Sequence, residues 1–241
     1  MSSTLRAISL FHDLPDATLA RVAAACSIRT YEKNAHILSE QEPTTDVFFV
    51  LSGTVRFSSH APTGREVIYS EISSGSLFGE FAAVDGRPRS SDAVAITECR
   101  LARMPSAAFV DLLKREGSVA FRLIELLVGK VRLASERVYE ASALAVRDRL
   151  RRELLRLAGS GARNGIEINP APTHYEIAAR IGSHREAVTR ELDRLEAAGI
   201  LDVSRRQLRI LDLERLREDT DGSADQRKPT VTEPKEPKSA T

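Results

Sequence analysis

Two clusters in this chain combine residue types and spacings that can do chemistry. The first is Gly79-Glu80-Phe81-Ala82-Ala83, followed closely by Asp85-Gly86-Arg87-Pro88-Arg89-Ser90-Ser91. A glycine at 79 lets backbone approach a ligand, and the next residues can present N–H groups to an anion at the start of a short helical turn. Arg89 adds a fixed charge that can fork onto a phosphate. Glu80 would repel a free phosphate but accept hydrogen bonds from sugar hydroxyls, so the two together suit a sugar phosphate. A surface turn with an ordinary ion pair accounts for the same residues.

In the second cluster, Thr173-His174-Tyr175-Glu176 fits a capping box, in which the Thr hydroxyl and the Glu carboxylate satisfy each other's backbone N–H groups. Ser183-His184-Arg185-Glu186 repeats the pattern ten residues later, and Arg180-Ile181-Gly182 between them makes a tight turn. Two capped helices joined this way form a helix-turn-helix. At ~100° per residue, Ala187, Val188, Leu192 and Leu195 of the second helix face inward. Arg185, Glu186, Thr189, Arg190 and Asp193 share the opposite arc. Its arginines can fork onto guanine and Glu186 can accept from a cytosine amine. The alternative is a solvated helix stabilised by pairs such as Glu186–Arg190. A hairpin, Ile200–Val203 with Gln207–Leu211, turns at Ser204-Arg205-Arg206 and reads as a wing with its arginines at phosphates.

These clusters need positioning. A helical pattern at Asp16–Ala25 precedes a strand-rich stretch to about Met104, with runs such as Val47-Phe48-Phe49-Val50-Leu51 and turns at Ser52-Gly53, Pro62-Thr63-Gly64, Ser73-Ser74-Gly75 and Asp85-Gly86. Short strands so spaced predict a sandwich or barrel. Ala120, Ile124, Leu127, Val131, Ala134, Val138, Ala141 and Ala145 then alternate four and three apart, the seam of a long helix. It pairs with a second copy, or lies on its own domain. Another helix, Arg147–Leu157, ends at Gly159-Ser160-Gly161. From Glu218 to Thr241 large apolar residues are nearly absent, which predicts disorder.

Composition narrows the classes. The chain has 241 residues, 42% hydrophobic and 29% charged, with net charge +1. Residues 146–217 hold 15 Arg against 11 acidic side chains, so the basic excess sits with the second cluster. Two cysteines, Cys26 and Cys99, are too few for a disulfide framework or an iron–sulfur cluster. The five histidines lack ligand spacing, so no metal is expected, and no nucleophile elbow is present, so no enzyme. Without a long apolar run or a signal-peptide layout, a cytoplasmic location and no membrane are expected.

The string Gly79-Glu80-x8-Arg89-Ser90, with Gly86-Arg87-Pro88-Arg89, resembles the phosphate-binding cassette of cyclic-nucleotide-binding domains. Phe48 to Val55 resembles their central β-roll hairpin. With the long helix and the helix-turn-helix, residues ~8–213 resemble a CRP/FNR-family transcription regulator. The resemblance implies an α+β fold: a double-stranded β-roll sensor (1–117), a dimerisation helix (118–145), a winged helix-turn-helix (146–217) and a tail (218–241). It implies cAMP or cGMP as effector, held by Gly79, Glu80, Phe81, Ala82, Arg89, Ser90 and Ser135. In the family, the Arg and the residue after it bind the cyclic phosphate, the Glu binds the ribose 2′-OH, and a Thr-Ser pair on the long helix reaches the purine, the Ser coming from the partner subunit. Here Ala134 replaces the Thr and Ser135 keeps the Ser. It further implies DNA contacts from Thr173, Ser183, Arg185, Glu186, Thr189, Arg190, Arg205 and Arg206 on a TGTGA-like half-site, a homodimer, and RNA polymerase as partner. The rivals are the same DNA function with another effector or none, and a cyclic-nucleotide-binding interaction module without DNA function.

Overall fold

The computed structural model describes residues 2–159, 165–204 and 207–221. The chain divides into two compact units, Met1–Ala143 and Leu144–Thr241. The first opens with helices α1 (Ser2–Leu5) and α2 (Asp16–Ala24), then strands β1 (Ser27–Tyr31), β2 (His36–Leu38), β3 (Val47–Ser52), β4 (Thr54–His60), β5 (Glu66–Ser73) and β6 (Leu77–Phe78). Helix α3 (Glu80–Asp85), strands β7 (Asp92–Ala95) and β8 (Cys99–Met104), and helices α4 (Ser106–Arg115) and α5 (Gly117–Ala143) complete it.

The strands form two antiparallel four-stranded sheets, ordered β1-β8-β3-β6 and β2-β7-β4-β5. Strand β3 explains why its sequence is a continuous apolar run instead of an alternating one. Phe48 and Val50 join Phe78, Val55 and Leu101 in one core, while Val47 and Phe49 join Phe11, Leu19, Phe109 and Val119 in another. A strand covered on both faces has no polar side to show. Phe48 stacks on Phe78 at 5.0 Å, and Phe49 lies 4.8 Å from Phe11. The long helix is rooted in this unit, since Val119 and Leu123 are core residues. Helix α4, which the strand-rich reading passes over, is anchored by the fully buried Phe109. Burial pushes the Cys26 thiol up to about 11, so it is protonated at neutral pH.

The seam is shorter than its spacing predicts. Helix α5 stops at Ala143, and Ala145 is an extended residue at φ −64°, ψ 160° that caps the next helix. The chain leaves the helix there because Val146 starts a helix with a core of its own. Along α5, Ile124, Val131 and Val138 are exposed in the single chain.

The second unit contains α6 (Val146–Ala158), β9 (Ile166–Ile168), α7 (His174–Ile181), α8 (Arg185–Ala197), β10 (Leu201–Ser204), β11 (Gln207–Ile210) and α9 (Leu213–Asp221). Its antiparallel sheet runs β10-β11-β9, adding to the expected hairpin a third strand, too short to announce itself by periodicity. Val188, Leu192 and Leu195 of α8 point into the core, as the helical arc requires. The capping box at Thr173 forms in full: Glu176 N–H donates to Thr173 Oγ1 (3.2 Å) and Thr173 N–H to Glu176 Oε2 (2.8 Å). The second expected box does not. Gly182 turns left-handed at φ +62° and Ser183 N–H then donates to Ala178 O (2.9 Å), closing α7. Ser183 is buried in ending one helix, and His184 caps α8 without a side-chain bond.

Helix α9 runs to Asp221, beyond position 218 where the tail was expected to begin; residues 222–241 lie outside the described residues. Leu213 and Leu216 hold it on the core of Leu150 and Leu154. Leu216 is fully buried, so Leu216→Ala should destabilise this unit by about 2–5 kcal/mol. A urea titration followed by circular dichroism measures it; a loss under about 1 kcal/mol would mean the side chain does not anchor α9.

Candidate functional site

Strand β6 leads into Gly79, which takes φ +84° and caps α3. A Cβ there would lie 2.6 Å from Asp46 O and 2.8 Å from Arg89 Nη1, so only glycine fits with Arg89 in place. Arg89 is 3% exposed. Its Nε donates to Thr44 Oγ1 (3.0 Å), its Nη1 to Gly79 O (3.2 Å) and its Nη2 to Asp46 O (2.9 Å). The Asp46 carboxylate is taken by Arg103, whose Nε donates to Oδ2 at 2.8 Å. Burial holds the Arg89 pKa below its ordinary value, opposed by Asp46, Glu42 and Glu80, while Arg103 adds to the lowering. The guanidinium remains protonated. Three of its five N–H groups are committed, which leaves two for a ligand.

Glu80, 2% exposed, opens α3 and receives a 2.6 Å hydrogen bond on Oε1 from Lys130 Nζ of α5. Its Oε2 accepts none from the described residues. The same ammonium lies 5.3 Å from the Phe81 ring. Between α3 and α5 opens a cleft of about 410 Å³ lined by Glu80, Phe81, Val84, Asp85, Leu127, Lys130, Val131 and Ala134. The sequence-derived set is thus partly assembled. Gly79 and Arg89 touch, and Glu80, Phe81 and Ala134 share the cleft. Ala82 is buried and Ser90 exposed. Ser135 is exposed with its Oγ donating to Val131 O (3.0 Å), and it does not line the cleft of its own chain. Sequence reasoning missed Lys130, Thr44 and Asp46. Lys130 was findable as the lone lysine of the long helix, one turn before Ala134 on the same face.

In the second unit, Arg185, Glu186 and Arg190 are exposed on α8, and none has a side-chain partner among the described residues. The Glu186–Arg190 pair of the solvated-helix alternative is not formed. Arginines elsewhere in this unit are engaged: Arg194 with Glu191 (3.3 Å), Arg209 with Glu167, and Arg149 with Ile181 O (2.6 Å). Thr189 Oγ1 donates to Arg185 O (3.0 Å) and lies 2.8 Å from His174 Nδ1. Thr173 is exposed with its Oγ1 engaged by Glu176, and Ser183 is buried. Arg205 and Arg206 lie outside the described residues. Among the described residues no three His, Cys, Asp or Glu side chains gather as a metal site, and no helix is long and apolar enough to cross a membrane.

The Glu80–Lys130 pair joins a buried carboxylate to a lysine whose side chain is 41% exposed. Lys130→Met leaves Glu80 charged without its partner and should cost about 1–3 kcal/mol, less than for a fully buried pair. Adding Glu80→Gln should restore most of that loss in urea unfolding. Simple additivity of the two substitutions would show that they do not act as a pair.

Comparison with known proteins matches the same two regions. A family described as the cyclic nucleotide-binding domain matches residues 28–116, and one described as the Crp-like helix-turn-helix domain matches residues 148–219. The CRP-like cAMP-activated global transcriptional regulator of Mycobacterium tuberculosis is 25% identical over 219 residues, covering 90% of this chain and 98% of that protein. The cyclic AMP receptor protein of Thermus thermophilus is 29% identical over 192 residues, 80% of this chain and 87% of that one. The structure of the c-di-GMP responsive global regulator CLP of Xanthomonas campestris superposes with a TM-score of 0.71 at 21% identity, covering 82% of this chain and 100% of that one. Two domain families in this order, over a β-roll that ends in a long helix, mean that the chain belongs to the CRP/FNR-type transcription regulators and is not an enzyme.

Proposed function

We propose that the chain is a homodimeric, cytoplasmic transcription regulator switched by cAMP or cGMP and reading a TGTGA-like palindrome. The observation that carries the effector is the pairing of a buried Arg89 that keeps two N–H groups with a buried Glu80 that keeps one carboxylate oxygen. An anion answers the first and a hydroxyl the second, and a cyclic ribose phosphate carries both. The relatives' names, which include cAMP activation, agree with this. Lys130 neutralises one side of Glu80, so that a phosphate can be received nearby. Gly79, Phe81 and Ala82 contribute backbone, Ser90 a hydroxyl, and Ser135 acts across the dimer.

The exposed apolar line Ile124, Val131 and Val138 supports pairing with a second copy. A two-fold dimer then meets half-sites whose centres are about one turn, ~34 Å, apart. Arg185, Glu186 and Arg190 read bases; Arg205 and Arg206 hold phosphates; DNA-bound, the dimer meets RNA polymerase.

Arg89→Leu should abolish measurable cAMP binding by calorimetry while sedimentation still reports the dimer. Unchanged binding removes the assignment. Neither Arg89 nor Glu80 distinguishes purines, and Ala134 presents only a methyl. Wild type should therefore bind cAMP and cGMP with affinities within about a hundredfold; no detectable binding of one of them contradicts this. Arg185→Ala should cost about 1–3 kcal/mol on a TGTGA duplex and relax the preference at one base pair. A loss equal on all sequences, in a shift assay, assigns Arg185 to phosphate instead.

A further inference from the structure

The contact between His174 and Thr189 joins the two helices of the reader through one hydroxyl. Thr189 Oγ1 has a single hydrogen, and it goes to Arg185 O at 3.0 Å. The 2.8 Å contact with His174 Nδ1 can coexist with that bond only if the imidazole donates and the hydroxyl oxygen accepts. Nδ1 therefore carries a proton in both charge states. The ring turns Nε2 away from Thr189, and among the described residues Nε2 has no partner. The neutral ring presents a bare lone pair there, and the cation presents an N–H donor.

His174 opens α7 and touches the polar arc of α8. In a helix-turn-helix the second helix lies in the groove while the first crosses the phosphate backbone. A lone pair facing a phosphate is repelled, and a cation is held. We infer that His174 is a phosphate-contacting residue that takes up a proton when DNA binds, so that affinity depends on pH through this one side chain; this rests on the DNA-binding function proposed above. The charged and titratable groups on the elements that meet it are Tyr175 and Glu176 on α7, and Arg185, Glu186, Arg190 and Asp193 on the arc of α8, with His184 at its cap. From α6, Arg149 and Glu153 meet the far end of α7, at Ile181 and Arg180. Glu176 is tied to the Thr173 cap, and neither Glu186 nor Asp193 bonds the ring among the described residues, so Nε2 is open to a phosphate.

The experiment measures binding of the full chain to a 30-base-pair random-sequence duplex by fluorescence anisotropy, with and without saturating cAMP, from pH 6.0 to 8.0. A phosphate contact needs no particular sequence, so the TGTGA assignment is not at stake. A ring that is held on the phosphate only as the cation makes binding severalfold weaker at pH 8.0 than at pH 6.0 for each protomer engaged. It also makes the salt slope steeper at the lower pH, by up to about one for each protomer engaged. His174→Gln should flatten the pH profile, and His174→Arg should flatten it at the high-affinity level. Thr189→Val, which removes the oxygen that fixes the ring, should weaken binding at pH 6.0 and reduce the pH slope. His184→Gln should leave the profile as in wild type. Identical profiles for wild type and His174→Gln, or flattening by His184→Gln instead, overturn the inference. Absence of duplex binding at every pH, with and without cAMP, overturns the DNA-binding function itself.

Discussion

The sensor unit is arranged around one buried guanidinium. A planar cation almost without solvent is tolerable only where acceptors replace its water, and Arg89 finds them in two main-chain carbonyls and a threonine hydroxyl. Each acceptor comes from a different requirement of the fold. Asp46 O lies just before β3, the strand covered on both faces. Thr44 belongs to the loop leading into it, and Gly79 O is the first carbonyl of α3. Gly79 has to be glycine twice over, for its left-handed φ and for the 2.8 Å that a Cβ would leave to Nη1. Moving the cation would disturb the cassette, the loop before β3 and, through Asp46 and Arg103, strand β8.

The opposite side of the cassette is held differently. Glu80 is as buried as Arg89, yet one bond from Lys130 ties it to α5, and that lysine is partly solvated. The cation side is therefore rigid and the carboxylate side adjustable. A ligand shifts a conformational equilibrium only by the difference between its contacts in the two states. On the proposed reading, the phosphate on Arg89 provides affinity, and the hydroxyl on Glu80, competing with or joining Lys130, provides the difference that α5 feels.

What could be read from the sequence had short range. The capping box at Thr173, the inward arc of α8 and the turn at Gly182 need only neighbours within a turn or two, and all are formed. The second box at Ser183 failed on equally local ground. Six-to-one closure after Gly182 takes the Ser183 N–H, and α8 starts one residue later, with His184 in the capping position. Periodicity located α5 but not its end, because Ala145 satisfies the four-three spacing while its backbone is extended. Lys130 on Glu80, Asp46 O on Arg89, and His174 on Thr189 join residues 15 to 50 positions apart. Such pairings are products of the fold, and residue type alone does not announce them. Helix α9 escaped because its two anchors, Leu213 and Leu216, sit in a charged stretch that reads as the margin of a polar tail.

The two sites divide along the same physical line. At the cassette, side-chain freedom is already lost: Arg89 is fixed by three bonds before any ligand arrives, so little ordering entropy opposes binding. On α8, Arg185 and Arg190 have no side-chain partner among the described residues, and on the proposed reading ordering each on a base edge costs up to about 2 kcal/mol of rotamer entropy. That cost is constant for any sequence, whereas the bidentate bonds that repay it form only on the right base pair. Free arginines thus favour discrimination over affinity, which leaves affinity to contacts with the phosphates and makes it dependent on salt. On the proposed reading, a regulator built this way holds its effector through a rigid, buried cation and reads DNA through exposed ones.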